Sequence, residues 1–234
     1  MFENGLIFFK TKKQLAKSAF DIVAETASRC KENNLPCRIA LSGGTTPDAL
    51  FKLFAEDAGK KLPLDLIDWF WVDERIVPHE NEDSNYGRAK ALFIDKLNIP
   101  PEKLHPVQTN IESPADCYAK ELERVFGSKS VPRFDLILLG MGGDGHTASM
   151  FPGSSGLWEK KLNVLEVPAP KNMQPHVPRI TLTFPVINQA EKIIFMVSGQ
   201  EKCDLLRYIG SLEKTVYPVQ LVRTEDVEWL VTEE

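Results

Sequence analysis

Histidine is scarce in this chain, four in 234 residues, and one of the four shares a glycine-rich turn with a carboxylate. The turn reads Gly140-Met141-Gly142-Gly143-Asp144-Gly145-His146-Thr147. Imidazole titrates near neutrality and is the side chain most often used to take and return a proton. His146 is therefore the candidate general base and Asp144 the candidate to orient it, although nearness in sequence does not establish their contact. The N–H groups of Gly142 and Gly143 are candidate donors to a developing oxyanion. His79 and His105 lie in polar loop contexts and His176 lies among prolines, so all three read as exposed loop residues.

The same glycines, Gly140, Gly142 and Gly145, spell G-x-G-x-x-G, with Glu166 about 20 residues further on, as a dinucleotide cradle requires. Pro152, Gly153 and Gly156 leave little room for the crossover helix such a cradle needs, and the dinucleotide reading is set aside. No cofactor is expected. No H-E-x-x-H and no Cys/His cluster is present, so no metal is expected either. Ser154-Ser155 sits in a glycine-flanked loop but not in a G-x-S-x-G elbow, which leaves a covalent serine mechanism without support.

Two further clusters have residue types suited to anions. In Ser42-Gly43-Gly44-Thr45-Thr46-Pro47 a strand runs into glycines and then a helix, which presents free N–H groups and a positive dipole end. The alternative is a tight turn with a capping threonine. In Trp71-Val72-Asp73-Glu74-Arg75, Arg75 has the fork that grips a phosphate or carboxylate; the alternative is a surface ion pair.

Three such clusters need a frame that brings them together. Apolar runs alternate with amphipathic stretches. Strands are expected over 5–10, 38–41, 67–72, 134–139, 163–167, 179–183, 192–197, 219–222 and 228–231. Helices are expected over 13–31, 48–58, 85–97, 113–126 and 201–209, with Ser113 as a cap and Pro114 at the first helical position. The run FDLILL at 134–139 is that of a strand buried on both faces. This alternation predicts an α/β fold, an open, doubly wound, mostly parallel sheet of Rossmann-like form, in one domain over residues 1–234. A small cap or insertion is expected within about 150–180, including a proline-rich stretch at 168–178. Ligands of such sheets bind at the carboxyl ends of the strands, which is where all three clusters fall.

The net charge is −5, from 28 Lys+Arg against 33 Asp+Glu. That balance argues against nucleic acid and anionic membranes as partners. Four cysteines without a C-x-x-C pair fit reduced thiols, and the only apolar run near the start, Leu6-Ile7-Phe8-Phe9, is too short for a signal peptide. A cytoplasmic protein with a small-molecule ligand is expected. Oligomeric state is not legible in these residues.

Taken together, the clusters resemble the 6-phosphogluconolactonases. The family's Ser-Gly-Gly-Ser/Thr-Thr-Pro corresponds to 42–47, and its Trp-Val-Asp-Glu-Arg to 71–75, followed by Ser84-Asn85-Tyr86. Its Gly-Met-Gly-x-Asp-Gly-His-Thr-Ala-Ser-x-Phe-Pro corresponds to 140–152. Pro178-Arg179-Ile180-Thr181-Leu182-Thr183 and Gly199-Gln200-Glu201-Lys202 look like two more family segments. The resemblance implies hydrolysis of 6-phospho-D-glucono-1,5-lactone in the pentose phosphate pathway, on a fold shared with glucosamine-6-phosphate deaminases. It implies His146 and Asp144 as the catalytic pair. Substrate and phosphate would be held by Ser42, Gly43, Gly44, Thr45, Asp73, Arg75, Asn85, Gly142, Gly143, Arg179 and Lys202. The deaminases carry a glutamate five positions after the histidine, where this chain has Phe151. Two rivals remain: a sugar-phosphate isomerase or deaminase, which Phe151 disfavours, and a non-enzymatic sugar-phosphate sensor.

Overall fold

The computed structural model describes residues 5–127, 131–171, 173–223 and 226–234. The chain begins with β1 (Leu6–Phe9) and α1 (Lys12–Glu32), and Thr11 Oγ1 closes the helix start by accepting the Gln14 N–H at 3.2 Å. β2 (Cys37–Leu41), α2 (Asp48–Lys61) and β3 (Ile67–Trp71) follow, then a short β4 (Asp73–Arg75), α3 (Asn85–Leu92), β5 (Leu104–His105) and α4 (Pro114–Phe126). The second half runs β6 (Leu136–Gly140), β7 (Val164–Val167), β8 (Arg179–Leu182), α5 (Phe184–Ile187), β9 (Ile193–Ser198), α6 (Gln200–Gly210) and β10 (Val227–Thr232).

Seven strands form one sheet in the order β1-β10-β9-β6-β2-β3-β5, every pair parallel. The expected open parallel α/β sheet is what the chain builds. Its faces follow from the two-residue period of a strand. Leu136 and Leu138 point with Ile39, Trp69 and Ile194 into a layer beneath α1 and α2, where Leu15, Phe20, Phe51 and Phe54 meet them. Ile137 and Leu139 point with Phe70, Phe195 and Val231 to the other layer, closed by Tyr118 and Leu122 of α4 and Leu206 and Ile209 of α6. Strands buried on both sides must be apolar at consecutive positions, which is why 134–139 reads as it does.

Several expectations are corrected. The strand expected over 67–72 divides after Trp71, and β4 leaves the main sheet to pair antiparallel with β8, itself antiparallel to β7. Of the segment expected to be a cap, this three-stranded sheet contains Val164–Val167 and the first residues of β8. Residues 219–222 are no strand: Pro218–Leu221 is a 3₁₀ turn, held by Gln220 Oε1 accepting the N–H groups of Val216 (2.7 Å) and Tyr217 (2.9 Å). Proline at its head lacks the N–H a ladder needs. α3 stops at Leu92 because Phe93 leaves helical geometry (φ −142°, ψ −36°) and buries its ring between Phe51, Phe54 and Trp69. Ser113 does not cap α4: it is left-handed (φ 56°) and makes no capping bond, whereas a capping hydroxyl needs an extended backbone. His105 is no loop residue; it lies on edge strand β5, buried, with its ring stacked on Phe70 at 4.3 Å. No helix among the described residues is long and apolar enough to cross a membrane.

Candidate active site

In the chain order, β2 connects to β3 on one side of it and β6 lies on the other, so the direction of winding reverses between β2 and β6. The crevice at such a reversal, beyond the strand ends, is where a parallel sheet offers a ligand space. A cleft lies there that opens to solvent.

The loop after β2 forms one wall. Ser42, Gly43, Gly44 and Thr45 all line the cleft. Gly43 is required by close approach: a Cβ there would fall 1.8 Å from Asn85 Oδ1. Asn85, buried at the start of α3, donates from Nδ2 to the Asp73 carbonyl at 2.8 Å and so stays against the loop. Thr46, also on this wall, shares a hydrogen bond with Ser198 at the end of β9 (3.0 Å), which ties two strand ends together.

The loop after β6 forms the opposite wall. His146 Nδ1 lies 2.5 Å from Asp144 Oδ1, and the same oxygen accepts the His146 N–H at 3.2 Å. Two residues apart, the carboxylate thus reaches both the ring and the backbone of the histidine. Burial pushes the Asp144 carboxyl up, but the bonds from His146 outweigh it and hold the group below the ordinary aspartate range. Gly142 is the second glycine set by close approach, since a Cβ would lie 2.1 Å from His146 Nδ1. Its N–H donates to the His146 carbonyl at 2.9 Å, so it is not free to receive an oxyanion, contrary to expectation. Gly143 and Asp144 are not among the residues that line the cleft.

Arg75 and Arg179 are register partners across β4 and β8 and both line the cleft. Arg75 Nη1 donates to the Asp83 carbonyl at 2.7 Å. Burial, then the neighbouring Arg75, lowers the pKa of Arg179. Lys202, in the first turn of α6, is likewise lowered by burial. Among the described residues none of these three cations pairs with a carboxylate. Ser42 Oγ, Arg75 Nε and Arg179 Nε are buried without a hydrogen-bond partner. Like charges side by side with orphaned donors are costly unless an anion completes them.

Asp73 also lines the cleft, its Oδ2 accepting the Ser149 hydroxyl at 2.6 Å. Ser149, fully buried, had no signal beyond the family segment it lies in. Phe151 packs between the two functions: its ring centre is 4.8 Å from that of His146, and the Arg179 guanidinium sits 5.2 Å above it. Met173 brings the proline-rich stretch to the cleft. Among the described residues, Cys30, Cys37 and Asp135 are the one group spaced for metal ligation. They lie at the opposite, amino end of β2. Burial raises both thiols, and Asp135 Oδ2 already accepts the Arg38 N–H at 2.7 Å, so the cluster reads as core packing.

The sequence profile of the glucosamine-6-phosphate isomerases/6-phosphogluconolactonases matches residues 10–231. A 6-phosphogluconolactonase of Rattus norvegicus is 33% identical over 237 residues, covering 98% of this chain and 91% of the relative. One from Nostoc sp. is 37% identical, covering 82% and 80%. The solved 6-phosphogluconolactonase of Trypanosoma cruzi superposes with a TM-score of 0.90 at 30% identity, covering 100% of this chain and 96% of that one.

Proposed function

Since the chain belongs to the glucosamine-6-phosphate isomerase/6-phosphogluconolactonase family, we propose that it hydrolyses 6-phospho-D-glucono-1,5-lactone to 6-phosphogluconate, the lactonase step of the pentose phosphate pathway. The observation that carries the reading is one cleft with His146, bonded to Asp144, on one wall and three cations at its other sides that pair with no carboxylate among the described residues. A lactone needs a water deprotonated at one end, and a phosphate needs cations at the other.

With Nδ1 bound to Asp144, His146 presents Nε2 to the water. As the water oxygen attacks the C1 carbonyl, Nε2 takes its proton, and Asp144 stabilises the imidazolium that forms. Collapse of the tetrahedral intermediate breaks the bond between C1 and the ring oxygen, and Nε2 returns the proton to that oxygen. Water is consumed and the histidine is restored. Arg75, Arg179, Lys202 and the 42–45 loop hold the 6-phosphate, while Asp73 faces the sugar hydroxyls. No cofactor enters these steps. The enzyme is one domain whose cap, within about 150–180, brings Met173 over the cleft. It acts in the cytoplasm, in keeping with four free thiols.

The test is proton release on adding freshly made 6-phosphogluconolactone, with glucosamine 6-phosphate as comparison. Turnover of the lactone and none of the amino sugar is expected. His146→Ala should lower kcat about 10²- to 10⁴-fold with the fold intact. A near-normal kcat in that variant would remove His146 from the mechanism.

A further inference from the structure

Glu74 is fully buried, and four hydrogen bonds converge on its carboxylate. Oε1 accepts the N–H groups of Arg75 and Asn85, each at 2.7 Å. Oε2 accepts the Tyr86 N–H at 2.8 Å and the Ser84 hydroxyl at 3.0 Å. Burial raises the Glu74 pKa and the four bonds pull against it. A carboxylate removed from water is costly unless it is fully bonded, so a residue kept at such a place has a task that its neighbours cannot perform.

Capping alone does not explain it. The Asn85 and Tyr86 amides belong to the first turn of α3, whose donors have no partner within the helix. Ser84 already caps that turn, its Oγ accepting the Gly87 N–H at 2.9 Å. Glu74 adds something a local cap cannot: it reaches α3 from β4 in another part of the fold and grips Arg75 with the same oxygen that holds Asn85. Those two residues close the loop 75–85 at either end, and both line the cleft. Inside the loop, Arg75 Nη1 is tied to the Asp83 carbonyl.

We propose that Glu74 is a positioning residue that fixes Arg75 and Asn85 relative to each other for the phosphorylated end of the substrate, acting through their backbone amides without touching the ligand. The inference rests on the reading of Arg75 and Asn85 as ligand-binding groups, and the experiment separates the two. In Glu74→Gln one oxygen becomes an NH₂, which faces amide donors and cannot accept from them. Loss of two hydrogen bonds in this place should raise KM for 6-phosphogluconolactone about ten-fold or more, at roughly tenfold per 1.4 kcal/mol. The Ki of inorganic phosphate should rise in parallel, while kcat falls less than about three-fold. A purely structural loss would instead lower melting temperature and active fraction, with KM and Ki unmoved in the folded protein, and that result overturns the proposal. Arg75→Ala is the companion measurement. If it raises KM and Glu74→Gln does not, the clamp alone fails; if Arg75→Ala leaves KM unmoved, the ligand role of Arg75 fails and the clamp with it. Should Glu74→Gln not accumulate as folded protein, Ser84→Ala removes one of the four bonds, and a KM rise of about three-fold is expected. An unchanged KM there overturns the proposal equally.

Discussion

In the proposed site Lys202 would hold the phosphate only while it carries its proton, and burial makes that proton easier to lose. The sign follows directly. A lowered pKa means that, as pH rises, the ammonium becomes a neutral amine before an ordinary lysine would, at about 10.4. Affinity for a phosphorylated ligand should therefore weaken on the alkaline side, starting below that value, while the phosphate stays doubly charged. Titration calorimetry with 6-phosphogluconate between pH 7 and pH 10 checks this without a reactive lactone. Lys202→Arg, which keeps its charge throughout, should flatten the profile; a flat profile in the unaltered protein would remove Lys202 from the ligand site. At this scale the sequence was legible in type more than in contact. Ser42 and Arg75 stand out in their own clusters, Arg179 and Lys202 only through the family resemblance, and all four reach one cleft. What one dimension withheld was direction: that Asp144 turns back onto His146 Nδ1, that Gly142 uses its N–H on the His146 carbonyl, and that Ser149 folds over to bond Asp73.

Elements position these residues from behind, and the layer of aromatic rings under α2 shows how separable the two tasks are. Phe54 is fully buried, with ring centres of Phe20, Trp69 and Phe93 at 5.8, 5.4 and 5.2 Å. Truncation to alanine should cost about 3–5 kcal/mol, the range for a buried phenylalanine whose surroundings relax only in part. Phe54 lies in the layer beneath α1 and α2 and does not itself line the cleft, so kcat per folded molecule should change less than about two-fold. Urea unfolding together with active-site-normalised rates reads both quantities. A large loss of kcat in folded protein would mean that the 42–47 loop takes its shape from this layer. The elements most readily read beforehand are those with the plainest apolar pattern, the helical period of α1 and the unbroken run of β6. β5 escaped because two residues carry no pattern, and 219–222 misled because a short, mostly apolar stretch after a proline reads alike as strand or turn. The division of 67–75 between two sheets is a tertiary decision: β4 turns away because Thr181, Ile180 and Arg179 of β8 are there to pair with it.

On the scale of the whole molecule, acidity and an anionic ligand are reconciled by where charge is paired. Arg29, Arg88, Lys90, Lys103, Arg124, Lys192 and Arg207 all meet carboxylates at the surface or part-buried, whereas Arg75, Arg179 and Lys202 in the cleft meet none among the described residues. A net charge of −5 thus describes the exterior, and the ligand meets a local excess of cations. The consequence is a difference of differences. Glucono-1,5-lactone has the reacting carbonyl but no phosphate, so it should be hydrolysed through the same His146 with kcat/KM reduced about 10²-fold or more, two charge-assisted hydrogen bonds being worth about 3 kcal/mol or above. Arg75→Ala should lower kcat/KM for the phosphorylated lactone by about ten- to hundred-fold, and for the unphosphorylated one by less than about two-fold, because the lost fork had nothing to hold there. Equal losses on both lactones would place Arg75 at the carbonyl rather than the phosphate, and the orientation of the ring in the cleft would have to be reversed.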